Sequence, residues 1–513
     1  MKKILLITIS LLFLSACTDS FMMPKSTLKL ALEANPKNLD PAFSTDSYSG
    51  ILIGLCYSNL LSFDHEGNIV LDATKFYSIS DKGRKYSFLL KENIRFSNGD
   101  ILTSKDVLYT LNRLADPKID SPRAWLLKDV VGYSDYRKGR STSLKGITID
   151  GDQKLIIHLS KPFAPFLSMF AMPQMAILNK KFMEVGGDLK EATLGSGPYQ
   201  LKSWRRDQDL LFVKNTYHKK KGSLNGIHFK ILKDPFTRLA EYKKGTLDIV
   251  EVAPSQQKQI SEKSTKMDIN QYNLYFLGLN MKSKKLSDLN IRKSIASAID
   301  KEVILNKLLK AQGLIAHGPV PLGLQGHIKK ATFLFNTAKA KKGLKLSSYK
   351  GEVLDFVLWN EPKSMMICQS IKQYLEKAGF KIKLRPLDWN AFTESLVKLD
   401  YDLFYRNWIA DFPDGDNFLY PLFHSQSKGL KGNYPHYANK TFDKIISISR
   451  KESKSEIRRE LLEKAAQKAI DDVSRVFLWF KKKTYVVSNR VKNFHPHPLY
   501  NSNKYLEVDL LEK

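Results

Sequence analysis

Cysteine is almost missing from this chain: Cys17, Cys56 and Cys368 are its only three in 513 residues. So few exclude a disulfide framework, a C-x-x-C pair and any zinc-ligand spacing, so stability must come from packing. Long apolar runs are also missing. The longest, Ile4 to Leu14, falls well short of the ~20 residues that span a bilayer as a helix. There is no Gly-Lys dipeptide, which excludes a Walker A loop, and neither G-x-S-x-G nor H-E-x-x-H occurs. His495-Pro496-His497 offers two imidazoles, but the proline restricts them and no third ligand is near, so neither metal nor cofactor is expected. Gly195-Ser196-Gly197-Pro198 reads as a tight turn rather than a phosphate loop, because Pro198 lacks an N–H and no helix pattern follows.

Acidic residues are in short supply too, 52 against 82 Lys and Arg, for a formal net charge of +30. The lysines are dispersed, as in Lys219-Lys220-Lys221, Lys243-Lys244, Lys341-Lys342 and Lys481-Lys482-Lys483. Dispersion describes a solvated surface rather than a nucleic-acid stripe, so no nucleic-acid partner is expected. Weak attraction to an anionic membrane surface fits better.

What is present begins at the amino end. Met1-Lys2-Lys3 precedes the apolar run, and Leu14-Ser15-Ala16-Cys17 closes it, the order of an export signal. The ending resembles the bacterial lipobox, which implies a signal peptide at 1–16, lipidation of Cys17 and a tether at 17–26. An ordinary signal peptide with a chance cysteine is the alternative.

The remaining chain is longer than one core usually grows, so two or three domains are expected. Hydrophobic residues at 43% and aromatics at 11% suffice for real cores and exclude disorder. Tyr86, Phe88 and Leu90 alternate with polar neighbours, Ile94 and Phe96 repeat the pattern, and Asn98-Gly99 supplies a φ > 0 pair for a turn. Ile147 and Ile149, Asp150-Gly151, then Leu155, Ile157 and Leu159 predict a second hairpin. Between them Thr103 and Asp106 cap a helix whose apolar face is Val107, Leu108, Leu111, Leu114 and Ala115, with Pro117 as its stop.

After Ser283 the period changes. Helices are expected over 290–299 and 301–309, with Gly313 as the stop. From Glu352 strands and helices alternate: strand 353–358, helix 364–378 ended by Gly379, strand 380–384, helix 389–399 and strand 401–408. Such alternation predicts helices on a mostly parallel sheet. Ligands of open α/β sheets bind beyond the strands' carboxyl ends, which singles out the residues after Trp408. Around them Tyr405, Arg406, Asn407, Trp408 and Asp411 gather aromatic surface, a cation, an amide and a carboxylate. The residues alone leave two readings open. Either this is a recognition cluster, or Tyr405 and Trp408 are core and Asp411 caps a helix starting near Asp414. Pattern changes place boundaries near residues 65, 185, 283 and 485.

Five segments in order carry a resemblance. They are Tyr86 to Asp100 with Thr103 to Tyr109, Gly195 to Trp204, Tyr242 to Asp248, Leu289 to Lys301, and Trp408 to Asp414. Together they resemble the family 5 extracytoplasmic solute-binding proteins, the peptide binders of ABC importers. The resemblance implies an α/β, periplasmic-binding-protein-like two-lobed fold (type II, cluster C) with an extra α+β domain. Domain I would comprise 27–64, 186–282 and 485–513; domain II, 65–185; domain III, 283–484. Hinge strands near Leu279 and Tyr485 would join the lobes.

It further implies a monomeric, lipid-anchored receptor, not an enzyme, that captures short peptides and delivers them to a membrane permease. Asp411 would pair with the peptide's α-ammonium. Thr45 to Ser47 and Asn407 to Ala410 would pair with its backbone, and Trp408 would wall the first pocket. Tyr405 stands where family members often carry Arg, with Arg406 beside it facing the other way. Lys363 is a candidate for the peptide carboxylate. Asp414-Gly415 replaces the usual Asp-Pro. Other ligands in the family, such as nickel complexes, haem, sugars and murein peptides, are the alternative; a surface adhesin or hydrolase is a third.

Overall fold

The computed structural model describes residues 23–218, 224–262, 264–330, 332–499 and 503–511. Cys17, the leader before it, most of the tether and Lys219-Lys220-Lys221 lie outside the described residues. Among the described residues no helix is long and apolar enough to cross a membrane. Cys56 and Cys368 are free and buried, and burial pushes the Cys56 thiol up to about 12.

One four-stranded sheet runs Thr27–Leu32, Gly226–Ile231, Asp209–Lys214, Tyr199–Arg205, with only the first pair parallel. Between its first strand and its next in sequence the chain builds a second, wholly antiparallel sheet. Its order is Thr74–Ser80, Lys85–Leu90, Lys154–His158, Ile147–Asp150. The alternation is as expected: Tyr86, Phe88, Leu90, Leu155 and Ile157 all point into the core. The helix Ser104–Ala115 covers that face, its start fixed by Asp106, whose carboxylate accepts from the backbone N–H of Thr103 at 2.8 Å. Asn98-Gly99 turns the chain with a single bridge, Arg95 to Ile101, and only Gly99 takes positive φ, not the expected pair.

The third sheet runs Ile249–Val252, Arg475–Val487, Thr265–Leu279, Leu403–Ile409, Val353–Trp359, Lys381–Leu387, with Gly313–Ile315 beside Arg475–Val487. The three strands of the alternating region, Val353–Trp359, Lys381–Leu387 and Leu403–Ile409, run parallel as expected, but the sheet as a whole is mixed. Both pairings of Val353–Trp359 are parallel, and every other pairing is antiparallel. Two long strands cause this. Thr265–Leu279 has 15 residues and Arg475–Val487 has 13, so the longer reaches about 50 Å at ~3.3 Å per residue.

Their ends belong to different cores. Tyr485 and Val487 pack with Leu28, Phe212 and Phe229 of the first sheet; Leu277, Leu279, Val476 and Leu478 pack with Phe356, Ile367 and Leu403. The register between the strands shifts at Asn270 to Leu274, where the pair passes from one core to the other. Gly313 is also corrected: it opens a strand. The preceding helix ends as a π turn, Ile304–Leu308, after which Lys310 and Ala311 take φ of 49° and 58°.

Candidate functional site

The strand Leu403–Ile409 ends where the parallel arrangement places a ligand, and the chain after it is held by specific bonds. The N–H of Ala410 donates to Tyr272 O at 2.9 Å, prolonging the pairing with Thr265–Leu279. Asn417, in the helix Asp416–Phe423, accepts the N–H of Asp411 on its side-chain oxygen at 3.1 Å, and its carbonyl accepts Trp408 Nε1–H at 2.8 Å. Asp411 therefore does not cap that helix. Its carboxylate is left to face outward.

It faces a cavity of about 220 Å³. The walls come from remote parts of the chain: Thr45, Asp46, Ser47 and Gly50; Phe63 and Arg123; Ala171 to Gln174; Ile409 to Asp411; and Leu499. Thr45 and Ser47 sit at the start of the helix Ser47–Cys56, capped by Asp46, whose carboxylate accepts the N–H of Ser49 at 2.9 Å. Asp411 retains 35% of its side-chain exposure at the mouth of the recess. Burial raises its carboxyl above the ordinary aspartate value, and the charge of Arg123 offsets only part of that rise. The nearest Arg123 nitrogen stands 3.6 Å from Asp411 Oδ1, beyond hydrogen-bonding distance. Nearby, Gln174 donates through Nε2 to Ser44 O at 3.0 Å, while its Oε1 is buried without a partner.

The structure brings Thr45, Ser47, Ala410 and Asp411 to one cavity and places the other four expected residues elsewhere. Tyr405 is 5% exposed, inside the apolar core, stacked on Tyr275 at 5.9 Å. Arg406, on the opposite face, sits over the rings of Tyr434 and Trp389 at 4.7 and 5.3 Å. Asn407 donates to the side chain of Asn273 at 3.0 Å, and Trp408 packs beneath the turn. Arg123 and Gln174 went unforeseen, since no local pattern marks a loop arginine or a lone glutamine as facing a site more than 200 residues on.

The other motifs resolve into structure. A Cβ on Gly195 would lie 2.0 Å from Cys56 O, so the Gly-Ser-Gly-Pro segment serves close backbone approach. His497 bonds Asp64 O at 2.7 Å, whereas His495 lies against His65 with ring centroids 5.1 Å apart. Lys363 opens the helix Pro362–Ala378 with no carboxylate within 4 Å among the described residues. Burial lowers its ammonium, Lys481 lowers it further, and Glu361 and Glu251 oppose them.

A mixed α/β chain whose long strands join two cores, with a charged cavity walled by distant segments, has the fold of the type II periplasmic binding proteins. Residues 69–429 match the model described as "Bacterial extracellular solute-binding proteins, family 5 Middle", and the chain belongs to that family. It is 27% identical over 496 residues, 93% of each chain, to the probable D,D-dipeptide-binding periplasmic protein DdpA of Escherichia coli (strain K12). With the dipeptide-binding protein DppE of Bacillus subtilis (strain 168) it shares 26% over 501 residues, 91% of this chain and 89% of that one. Among solved structures, the periplasmic binding protein DppA of Helicobacter pylori in complex with the peptide STSA superposes with a TM-score of 0.77 at 21% identity, covering 94% and 98% of the two chains. Members of this family are transport receptors, not enzymes.

Proposed function

We propose that this protein captures short peptides between two lobes and delivers them to the permease of an ABC importer. The observation that carries this reading is Asp411. Its carboxylate is partly shielded from water, accepts no hydrogen bond among the described residues and lines a cavity between distant segments. A peptide's α-ammonium gives such a group both a hydrogen bond and a counter-charge; a sugar hydroxyl gives only the hydrogen bond, and an anion neither.

A second observation supports an extended peptide. Val353–Trp359 pairs with the neighbouring strand only at Leu403 and Phe404, so from Tyr405 onward one edge of Leu403–Ile409 has no strand partner among the described residues. A ligand backbone can add there, opposite Thr45 to Ser47, taking affinity from groups common to all peptides. The lobes would be domains I and II (27–64, 186–282 and 485–513, with 65–185) and domain III (283–484), hinged at the register shift between the long strands. The chain would act as a monomer, anchored through lipidated Cys17. Thermal stabilisation by a library of tri- and tetrapeptides tests the reading. Binding is expected in wild type and its loss in Asp411→Ala; a library without effect, or a variant that binds as well, sinks it.

A further inference from the structure

Arg123 and Asp411 stand side by side on the cavity wall as an ion pair that completes no hydrogen bond. At 3.6 Å the pair is close enough for attraction but too far for a hydrogen bond, and each partner keeps unused capacity. Arg123 donates Nε–H to Ser44 O at 3.0 Å, and its backbone N–H to Ser121 Oγ at 3.0 Å, which fixes the side chain's base. Its two terminal nitrogens donate to no acceptor within hydrogen-bond distance among the described residues. The Asp411 carboxylate accepts no hydrogen bond among the described residues. The other carboxylate of the cavity, Asp46, is occupied: it accepts from the N–H and the hydroxyl of Ser49 at 2.9 and 2.6 Å.

Of the three charged groups of the cavity, Arg123 and Asp411 stand side by side with hydrogen-bond capacity left over, and together they complement a ligand carrying the opposite pair at similar spacing. We infer that Arg123 and Asp411 together select peptides whose amino end bears a carboxylate close to the α-ammonium. Two chemistries meet this: an N-terminal aspartyl or glutamyl residue, and a γ-linked glutamyl group whose ammonium and carboxylate share one carbon. The ammonium goes to Asp411 and the carboxylate to the terminal nitrogens of Arg123, whose planar fork suits two parallel bonds. An uncharged first residue leaves Arg123 facing its ammonium across the same cavity, an unfavourable juxtaposition that works against such peptides. The inference rests on the peptide-binding reading and adds a preference to it.

Isothermal titration with Ala-Ala-Ala, Asp-Ala-Ala, Glu-Ala-Ala and γ-Glu-Ala tests it, on wild type, Arg123→Gln and Arg123→Lys. Wild type is expected to bind at least one acidic ligand about tenfold or more tightly than Ala-Ala-Ala. In Arg123→Gln the ratio of acidic-ligand affinity to Ala-Ala-Ala affinity falls to about one, whatever the change in absolute affinity. Arg123→Lys keeps part of the preference, having the charge without the fork. The α-linked and γ-linked ligands tell where the carboxylate sits. Equal affinity for all four ligands in wild type, or an equal loss of all in Arg123→Gln, overturns the selectivity while leaving peptide capture standing. Absence of binding by every peptide overturns both.

Discussion

The side-chain oxygen of Asn417 holds the backbone N–H of Asp411 at 3.1 Å, so the helix after the turn sets the direction of the carboxylate before it. Asn417 is buried, and its loss leaves that N–H without a partner. Asn417→Ala is expected to cost about 1–3 kcal/mol in urea unfolding. It should also weaken peptide binding roughly tenfold, because a loosened carboxylate no longer meets the ammonium squarely.

Acidity provides a second check on the same carboxylate. Its pKa in the ligand-free protein is raised, chiefly by burial, and a bound ammonium favours the ionised form. Affinity is therefore full well above that raised value and is lost as pH falls through it, starting at a higher pH than for an ordinary aspartate. The stability of the free protein runs the other way. A carboxyl that binds its proton more readily folded than unfolded favours the fold at low pH and loses that contribution as pH rises through the folded value. Asp411→Asn is expected to abolish the acid-dependent loss of binding and to raise the ligand-free melting temperature at pH 7. Calorimetry between pH 4 and 8 reads both.

How far these features were legible depends on how local their causes are. The Lys85–Leu90 strand, the Thr103–Asp106 cap and the helix stop at Gly379, which takes φ of 106°, all follow from neighbours in sequence. The position of Asp411 just beyond a strand's carboxyl end followed from the alternation of strands and helices before it. The antiparallel strands Thr265–Leu279 and Arg475–Val487 were not legible, since their pairing joins residues some 200 apart and nothing local encodes direction. Tyr405 shows another limit. A strand's alternation separates Tyr405 and Asn407 from Arg406 and Trp408, but does not say which face meets solvent. Arg123 reaches the cavity only through the packing of its whole loop.

The inserted sheet is tied to the amino-terminal segment by a buried pair. Arg113, in the last turn of Ser104–Ala115, donates to both oxygens of Asp40, at 2.9 and 2.5 Å, with side-chain exposures of 11% and 8%. Asp40 also accepts the N–H of Ala42 at 3.0 Å. Removing the cation strands a desolvated carboxylate, so Arg113→Ala is expected to lower unfolding stability by about 3–5 kcal/mol. The double variant Asp40→Asn, Arg113→Met should be closer to wild type than Arg113→Ala alone, because no buried charge is left uncompensated. Chemical denaturation at pH 7 measures the three proteins together.

The last prediction concerns the other end of the peptide. Lys363 lies on the first turn of Pro362–Ala378, where the helix's free N–H groups also favour negative charge. Its pKa is lowered by burial and by the charge of Lys481, with Glu361 and Glu251 opposing them. A cation in that state gains from an incoming carboxylate more than a solvated lysine does. If Lys363 receives the peptide's carboxyl end, amidating that end should weaken binding to wild type by about tenfold. Lys363→Gln should bind the free acid about that much more weakly and no longer distinguish acid from amide. Titration of one tripeptide in both forms against both proteins decides it. An amide that binds wild type as tightly as the acid rules Lys363 out as the carboxylate's partner.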